Sequence, residues 1–290
     1  MSLPASAQMT AGGKNKLSFN IYGDYQSEDF QWSIAGNSNG QNPNVLSEVI
    51  WKNIQSKGAG AAIQWNICSG ILFKGDYHRS FIYSGTATDT DYAQDNRSNP
   101  TYQANLNSND GNSFAYSAAL GYEIAVGKRI SLAPYAGYTK SRQFLYLKNF
   151  KEEGGDEIKK LNSTYQANWS GAVIGMDAKF ELNSFLSAKA VVNYKQLSYQ
   201  GYADWNLIDA FAHPVSFKHT ANGFETAAAI QFDFRITSAF SALIRGNYGH
   251  AETGTGKDQL YLIDGGQRES QFNGSKRTFK GVGIGFSLNL

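Results

Sequence analysis

Apolar residues recur at every second position over long stretches of the chain. From Phe224 the series Phe224, Thr226, Ala228, Ile230, Phe232, Phe234 and Ile236 lies on one side, with Glu225, Gln231, Asp233 and Arg235 among the residues on the other. That is the period of a strand with one greasy and one polar face. The same alternation runs through Phe114, Tyr116, Ala118, Leu120, Tyr122, Ile124 and Val126, through Leu186, Ala188, Ala190, Val192 and Tyr194, and through Val282, Ile284, Phe286, Leu288 and Leu290. Several of these stretches are joined by short turn-forming links, Gly127-Lys128, Asn183-Ser184 and Thr237-Ser238, suited to hairpins. Other links are long and polar: residues 87–112, 150–162, 205–222 and 253–273. Strands are expected near 16–27, 45–67, 70–88, 113–126, 129–149, 163–182, 185–204, 223–236, 239–252 and 274–290, about ten in all.

Short turns alternating with long loops, and strands of at least ~9–11 residues, predict an all-β, antiparallel, up-and-down transmembrane barrel. Its short turns are expected on the periplasmic side and its long loops on the extracellular side. A soluble sandwich also alternates, but its apolar face turns inward and its connections do not sort by length so regularly. In the barrel the polar set, such as Lys189, Asn193, Lys195 and Arg235, fills the lumen, which leaves little room for a porin-like channel. Trp51, Trp65, Trp169 and Trp205 are candidates for the interfacial girdles.

Composition fits once this architecture is assumed. Mean hydropathy is −0.41, ordinarily a water-soluble value, yet half of each barrel strand faces a polar lumen and the loops are polar throughout. No run approaches the roughly 20 apolar residues of a helical span. With 17 Tyr and 18 Phe and only 17% charged residues, the chain is too apolar for disorder. A net charge of +2 does not indicate nucleic acid. The single cysteine, Cys68, excludes an intramolecular disulfide framework, and no metal site is expected. Ala5-Ser6-Ala7 fits the pattern before a signal-peptidase cut, so residues 1–12 are expected to be a flexible N-terminal remnant and 13–290 the outer-membrane barrel.

Three segments resemble the omptin family, ten-stranded outer-membrane endopeptidases of Gram-negative bacteria. Ser47-Glu48-Val49-Ile50-Trp51-Lys52 is similar to that family's Ser-x-Leu-x-Trp-Lys, Ala136-Gly137-Tyr138-Thr139-Lys140-Ser141-Arg142 to its Ala-Gly-Tyr-x-x-Ser-Arg, and Asp89-Thr90-Asp91-Tyr92 to its Asp-x-Asp-aromatic. The resemblance implies a groove at the extracellular rim, in which an acidic pair faces an Asp–His pair across a water that attacks the peptide. Asp89 and Asp91 match the acidic pair, and their two-residue spacing puts both carboxylates on one face of a strand. Two carboxylates so close shift each other's protons, as general acid–base chemistry requires.

The second pair departs from the pattern. Where the resemblance implies Asp-x-His, the chain reads Asp204-Trp205-Asn206, and an amide cannot take a proton from water. His213 shares a face with Asp209, opposite by parity to Asp204 and Asn206, so its use as a replacement requires the loop to rearrange. His78, His219 and His250 match no motif. Glu28 aligns loosely with an acid at the family's substrate pocket, whose partner position is Tyr202. Tyr138 and Arg142 match the family's lipopolysaccharide site, with Lys140 at its acidic position and Asn168 at its second arginine. Lipopolysaccharide is thereby implied as a lipid partner, and no other cofactor is. Two functions remain open at this point: a surface endopeptidase of weakened chemistry, or a barrel of the same scaffold acting in adhesion, ligand binding or outer-membrane structure on a peptide or protein partner.

Overall fold

The computed structural model describes residues 17–68, 70–149 and 161–290; the expected segment 1–12 and most of the expected loop 150–162 lie outside them. The strands in chain order are β1 (Leu17–Ile34), β2 (Ser47–Cys68), β3 (Ile71–Gln94), β4 (Ser98–Asn107), β5 (Gly111–Tyr122), β6 (Ile124–Ala125), β7 (Ile130–Lys148), β8 (Asn162–Glu181), β9 (Leu186–Asp204), β10 (Phe217–Arg235), β11 (Phe240–Thr253), β12 (Gly256–Tyr261) and β13 (Gln267–Asn289). All pairings are antiparallel, and ten of the strands form the ring: β1, β2, β3, β5, β7 to β11 and β13. It closes where β1 pairs with β13 from Ser18↔Asn289 to Ile34↔Phe272. β6 prolongs β5 at the short-turn end, whereas β4 and β12 prolong β5 and β11 at the long-loop end.

The apolar stripes face outward along the lower and middle barrel. Ile230 is 47% exposed, Val192 56% and Ile284 69%, the exposure of side chains that meet lipid. On this account Ile230→Arg, near mid-depth of the apolar band, is expected to cost about 2–4 kcal/mol of stability in lipid, read as a lowered urea midpoint in vesicles. A change under half a kcal/mol would place Ile230 away from hydrocarbon.

Three sequence expectations need correction. The strands run well into regions read as loops: β3 reaches Gln94, β10 starts at Phe217 and β13 at Gln267, and β4 and β12 lie wholly inside expected loops. Above the apolar band the rule inverts, with the apolar set turned inward and the polar set outward, so these segments do not carry the lipid-facing pattern. The tryptophans follow the inversion. Trp65 faces out at 47% exposure, but Trp51 and Trp169 are buried inside the ring, and Trp205 packs on Phe217 with ring centroids 4.8 Å apart. Of the polar residues assigned to the lumen, Arg235 instead sits at the short-turn rim, donating to Ser184 O and pairing with Glu181.

The lower lumen is filled by charge pairs. Lys74 reaches across to Asp177 at 2.6 Å and lies 3.8 Å from the Tyr135 ring centroid, His78 meets Asp24 at 3.0 Å, and Lys195 meets Glu225 at 2.5 Å. Gly58 makes room for one of these pairs, since a Cβ there would stand 2.7 Å from both Asp24 Oδ1 and His78 Nε2. Between the pairs remains a cavity of ≈ 310 Å³ lined by Tyr22, Asp24, Lys74, Asp177 and Arg245, among others. Above it, Glu28 accepts from Arg277 Nη2 at 2.7 Å and from Gln143.

Over that layer the lumen is closed by an aromatic plug: Phe30, Trp32, Trp51, Tyr165, Trp169, Tyr199, Phe217, His219 and Phe272. Trp32 packs on Tyr165 at 5.6 Å and on His219 at 4.9 Å, and His219 stacks on Phe272 at 4.3 Å. Aromatic pairs at these separations add to their area burial.

Candidate functional site

The long-loop mouth holds the residues singled out for chemistry, and a bulge decides which way they point. On β2, Ile54 opposes Glu28 and Trp51 opposes Phe30, which sets Lys52 and Asn53 against Asp29 alone, so one extra residue is accommodated. Asn53 takes a φ of 52° there, and its N–H donates to Asp29 Oδ1 at 2.9 Å. A bulge of this kind shifts side-chain parity along the strand. Both Ile54 and Trp51 thereby face inward, and the register passes to β3, where Ala87 pairs with Trp51 and Asp89 with Val49. Asp89 and Asp91 consequently share the inner face at the mouth.

Asp89 is buried, and it accepts a hydrogen bond from the Trp205 side chain. Burial, with the charge of Asp91 beside it, raises its carboxyl to about 7. Asp91 is raised as well, by burial, against a hydrogen bond from Ser47. Tyr102 on β4 stands next to Asp91 in register, and its hydroxyl is raised by burial and by both carboxylates.

Asp204 is not brought to this pair. On β9, Leu197, Tyr199 and Ala203 are the buried, inward residues, so Asp204 and Tyr202 belong to the outer set, and the plug residue Tyr165 fills the interior on the neighbouring β8. Trp205, between Asp204 and Asn206, is the residue that meets Asp89. Asn206 holds the start of β8, its Oδ1 accepting from Asn162 N at 2.9 Å and from the Ser163 hydroxyl at 3.1 Å. His213 does reach Asp204: the carboxylate accepts from Nδ1 at 2.5 Å. Strand parity was the wrong guide for His213, because residues 205–216 form a loop between β9 and β10.

The remaining candidates take structural or exterior places. Glu28 is held by Arg277 and Gln143 beneath Phe30 and does not open to a groove. Tyr202 lies on the outer wall, donating to Gln200 Oε1 at 2.9 Å under the ammonium of Lys218, 5.6 Å from the ring centroid. Tyr138 is exposed, and it shares the outer face of β7 with Lys140 and Arg142, which pair in register with Tyr116 and Phe114 of β5. The Arg142 guanidinium lies 4.7 Å from the Phe114 ring centroid, a cation–π contact. Among the described residues no three side chains of His, Cys, Asp and Glu gather as a metal centre.

Sequence reasoning missed the buried histidine of the plug. His219 Nδ1 lies 2.8 Å from the Tyr165 hydroxyl, which is 2.7 Å from that of Tyr199, and Nε2 is 3.2 Å from Asp258 Oδ1. Burial lowers its imidazole, against the pull of Asp258. The one available signal was its alternation with Phe217, which places both on the same face.

A family profile described as "Pom: Protochlamydia outer membrane protein" matches residues 20–290. The chain belongs to the Pom family. Among solved structures, this Pom barrel is similar to the outer membrane protease OmpT from Escherichia coli, at a TM-score of 0.76 and 12% identity, with 97% of this chain and 98% of that chain covered. Such identity supports a shared barrel architecture and nothing finer. The outer membrane protein OprG from Pseudomonas aeruginosa matches at 10% identity, 96% and 98% coverage and a TM-score of 0.39. The translocator domain of the autotransporter NalP from Neisseria meningitidis matches at 8% identity, 94% and 88% coverage and a TM-score of 0.40; neither score is high enough to bear on this fold. Comparison with curated proteins finds no significant match. The resemblance of the Ser47, Asp89 and Ala136 segments to omptins therefore extends to the architecture of this outer-membrane barrel, while its family is Pom.

Proposed function

We propose that this Pom barrel is a closed, non-proteolytic outer-membrane protein that acts by binding at its long-loop rim, which faces the cell exterior. The observation that carries the reading is the plug: Trp32, Tyr165, Phe217 and His219 occupy the space a substrate groove needs. Hydrolysis by two facing pairs requires a water between them, but the Trp205 side chain takes the Asp89 carboxylate and Asp204 lies on the opposite face of its strand. The plug and the charge pairs beneath it also argue against a solute channel, since a ten-stranded lumen is narrow before it is filled. On the outer wall, Lys140 and Arg142 over their aromatic neighbours support contact with anionic headgroups, lipopolysaccharide among them.

One observation favours a second reading. Asp204 and His213 form a carboxylate–imidazole pair, and in an endopeptidase His213 would serve as the base that Asn206 cannot be, once Trp205 swung aside. Refolded protein supplied with lipopolysaccharide and a mixed peptide pool separates the two. No cleavage and no single-channel current in planar bilayers are expected. Cleavage lost in both Asp89→Ala and His213→Ala would establish the endopeptidase instead.

A further inference from the structure

We propose that the outer edge of β4 is a docking strand for an extended basic peptide segment of a partner protein. This rests on the reading that the rim binds without cutting. β3 and β4 form a ribbon that rises above the ring, with β4 paired to β3 from Thr86↔Asn107 to Gln94↔Ser98. Along its other edge, among the described residues, β4 pairs only at Asn107↔Lys148. The residues of that edge, Ser98-Asn99-Pro100-Thr101-Tyr102-Gln103-Ala104-Asn105-Leu106, carry no charge, and all but Ala104 and Leu106 are exposed. Exposed edges are ordinarily blunted by lysines, bulges or proline. Here the guards are Pro100 and a bulge at Thr101, both near the tip, and along Tyr102–Leu106 that edge is unpaired among the described residues.

The ribbon is also held rigid. Arg97 at its tip donates to Glu48 through Nε at 3.0 Å and Nη2 at 2.5 Å. Asn44 of the β1–β2 loop donates to Asp95 Oδ1 at 2.7 Å and accepts from Asn96 N at 2.8 Å. A fixed edge lowers the ordering cost of adding a strand.

Charge decides which strand fits. A residue of the added strand opposite Tyr102 turns to the same side as Tyr102, which is half-exposed and stands beside Asp91. Asp89 and Asp91 enter no ion pair among the described residues. A lysine or arginine at that position therefore lies over an aromatic ring, within reach of a carboxylate that meets no cation among the described residues. Basic residues at alternate positions are the matching pattern, because alternate side chains share a face.

The test uses the full protein in detergent micelles and a fluorescent eight-residue peptide of alternating lysine and threonine. Two control peptides carry a central proline or glutamate in place of lysine. Expected are saturable micromolar binding, loss of it with either control, and weakening of about tenfold in Asp91→Asn. No binding, binding that tolerates the proline, or edge amides of residues 101–106 already protected from hydrogen exchange in the free protein would each overturn the proposal. Mass spectra of the recovered peptide separate it from the reading beneath it: a cut peptide sinks the non-proteolytic rim, whereas an intact, unbound one sinks the docking strand alone.

Discussion

Arg277→Met is expected to lower stability by about 3–5 kcal/mol, because it strands the buried Glu28 carboxylate beneath the aromatic plug. Arg277 meets Glu28 through both Nε, at 3.1 Å, and Nη2, at 2.7 Å, and both side chains are only 10% exposed. With the guanidinium gone, Gln143 remains as a donor to the carboxylate but supplies no charge. The plug makes the loss severe, since Phe30 and its neighbours seal the site from water at the long-loop end. The double variant Glu28→Gln with Arg277→Met removes both charges and is expected to recover most of the loss. Urea midpoints of the refolded variants, read by the gel shift between folded and unfolded barrel, measure this. Equal losses in the single and the double variant would show that packing around Arg277, and not the unpaired carboxylate, sets its importance.

The same layer explains why the mouth does not resemble a peptide groove. Glu28 was the candidate for a pocket acid, and an acid available to a substrate must be free of internal partners. Here it neutralises an arginine from the last strand of the ring. That pair also spans the seam where β13 meets β1, so its charges contribute to closing the barrel. Above it nearly every inward position of β1, β2, β8 and β10 is aromatic or aliphatic, and the interior at this level behaves as the core of a water-soluble protein.

The barrel was legible wherever lipid imposes its rule. Phe224, Ile230 and Phe234, or Val282, Ile284 and Phe286, alternate with polar or small residues because one side meets hydrocarbon, and the lipid-facing parts of these strands were located, although β10 and β13 begin earlier than expected, at Phe217 and Gln267. Legibility fails above the apolar band. There Trp51 and Trp169 carry the same alternation with the opposite sense, so they read as girdle residues when they are the plug. Asp89 and Asp91 were correctly put on one face, but which face depended on the bulge at Asn53, and nothing in the residue pattern announces a bulge. Asp204 and His213 fail for a related reason: parity holds within a strand and says nothing once the chain leaves it after Asp204. The omptin-like segments lie on β2, β3 and β7, and at 12% identity the likeness to OmpT extends to the barrel fold alone.

Asp89 offers the most direct test of how the mouth is built. Its carboxyl is raised from an ordinary 3.8 to about 7 by burial and by the neighbouring Asp91. In the unfolded chain it ionises near 4, so between pH 4 and 7 the folded state holds a proton that the unfolded state has released, and stability falls as pH rises through that window. At about 1.4 kcal/mol for each unit, the three-unit rise sets an upper limit of about 4 kcal/mol lost by pH 8. Asp89→Asn removes the titration while its amide oxygen still accepts from Trp205. The variant is therefore expected to match the parent at pH 4 and to exceed it at pH 8 by up to that amount. Urea midpoints at the two values decide it. A variant destabilised equally at both would mean that the ionised carboxylate is held by a partner at the mouth, and the account of Asp89 as a desolvated acid latched only by Trp205 would fail.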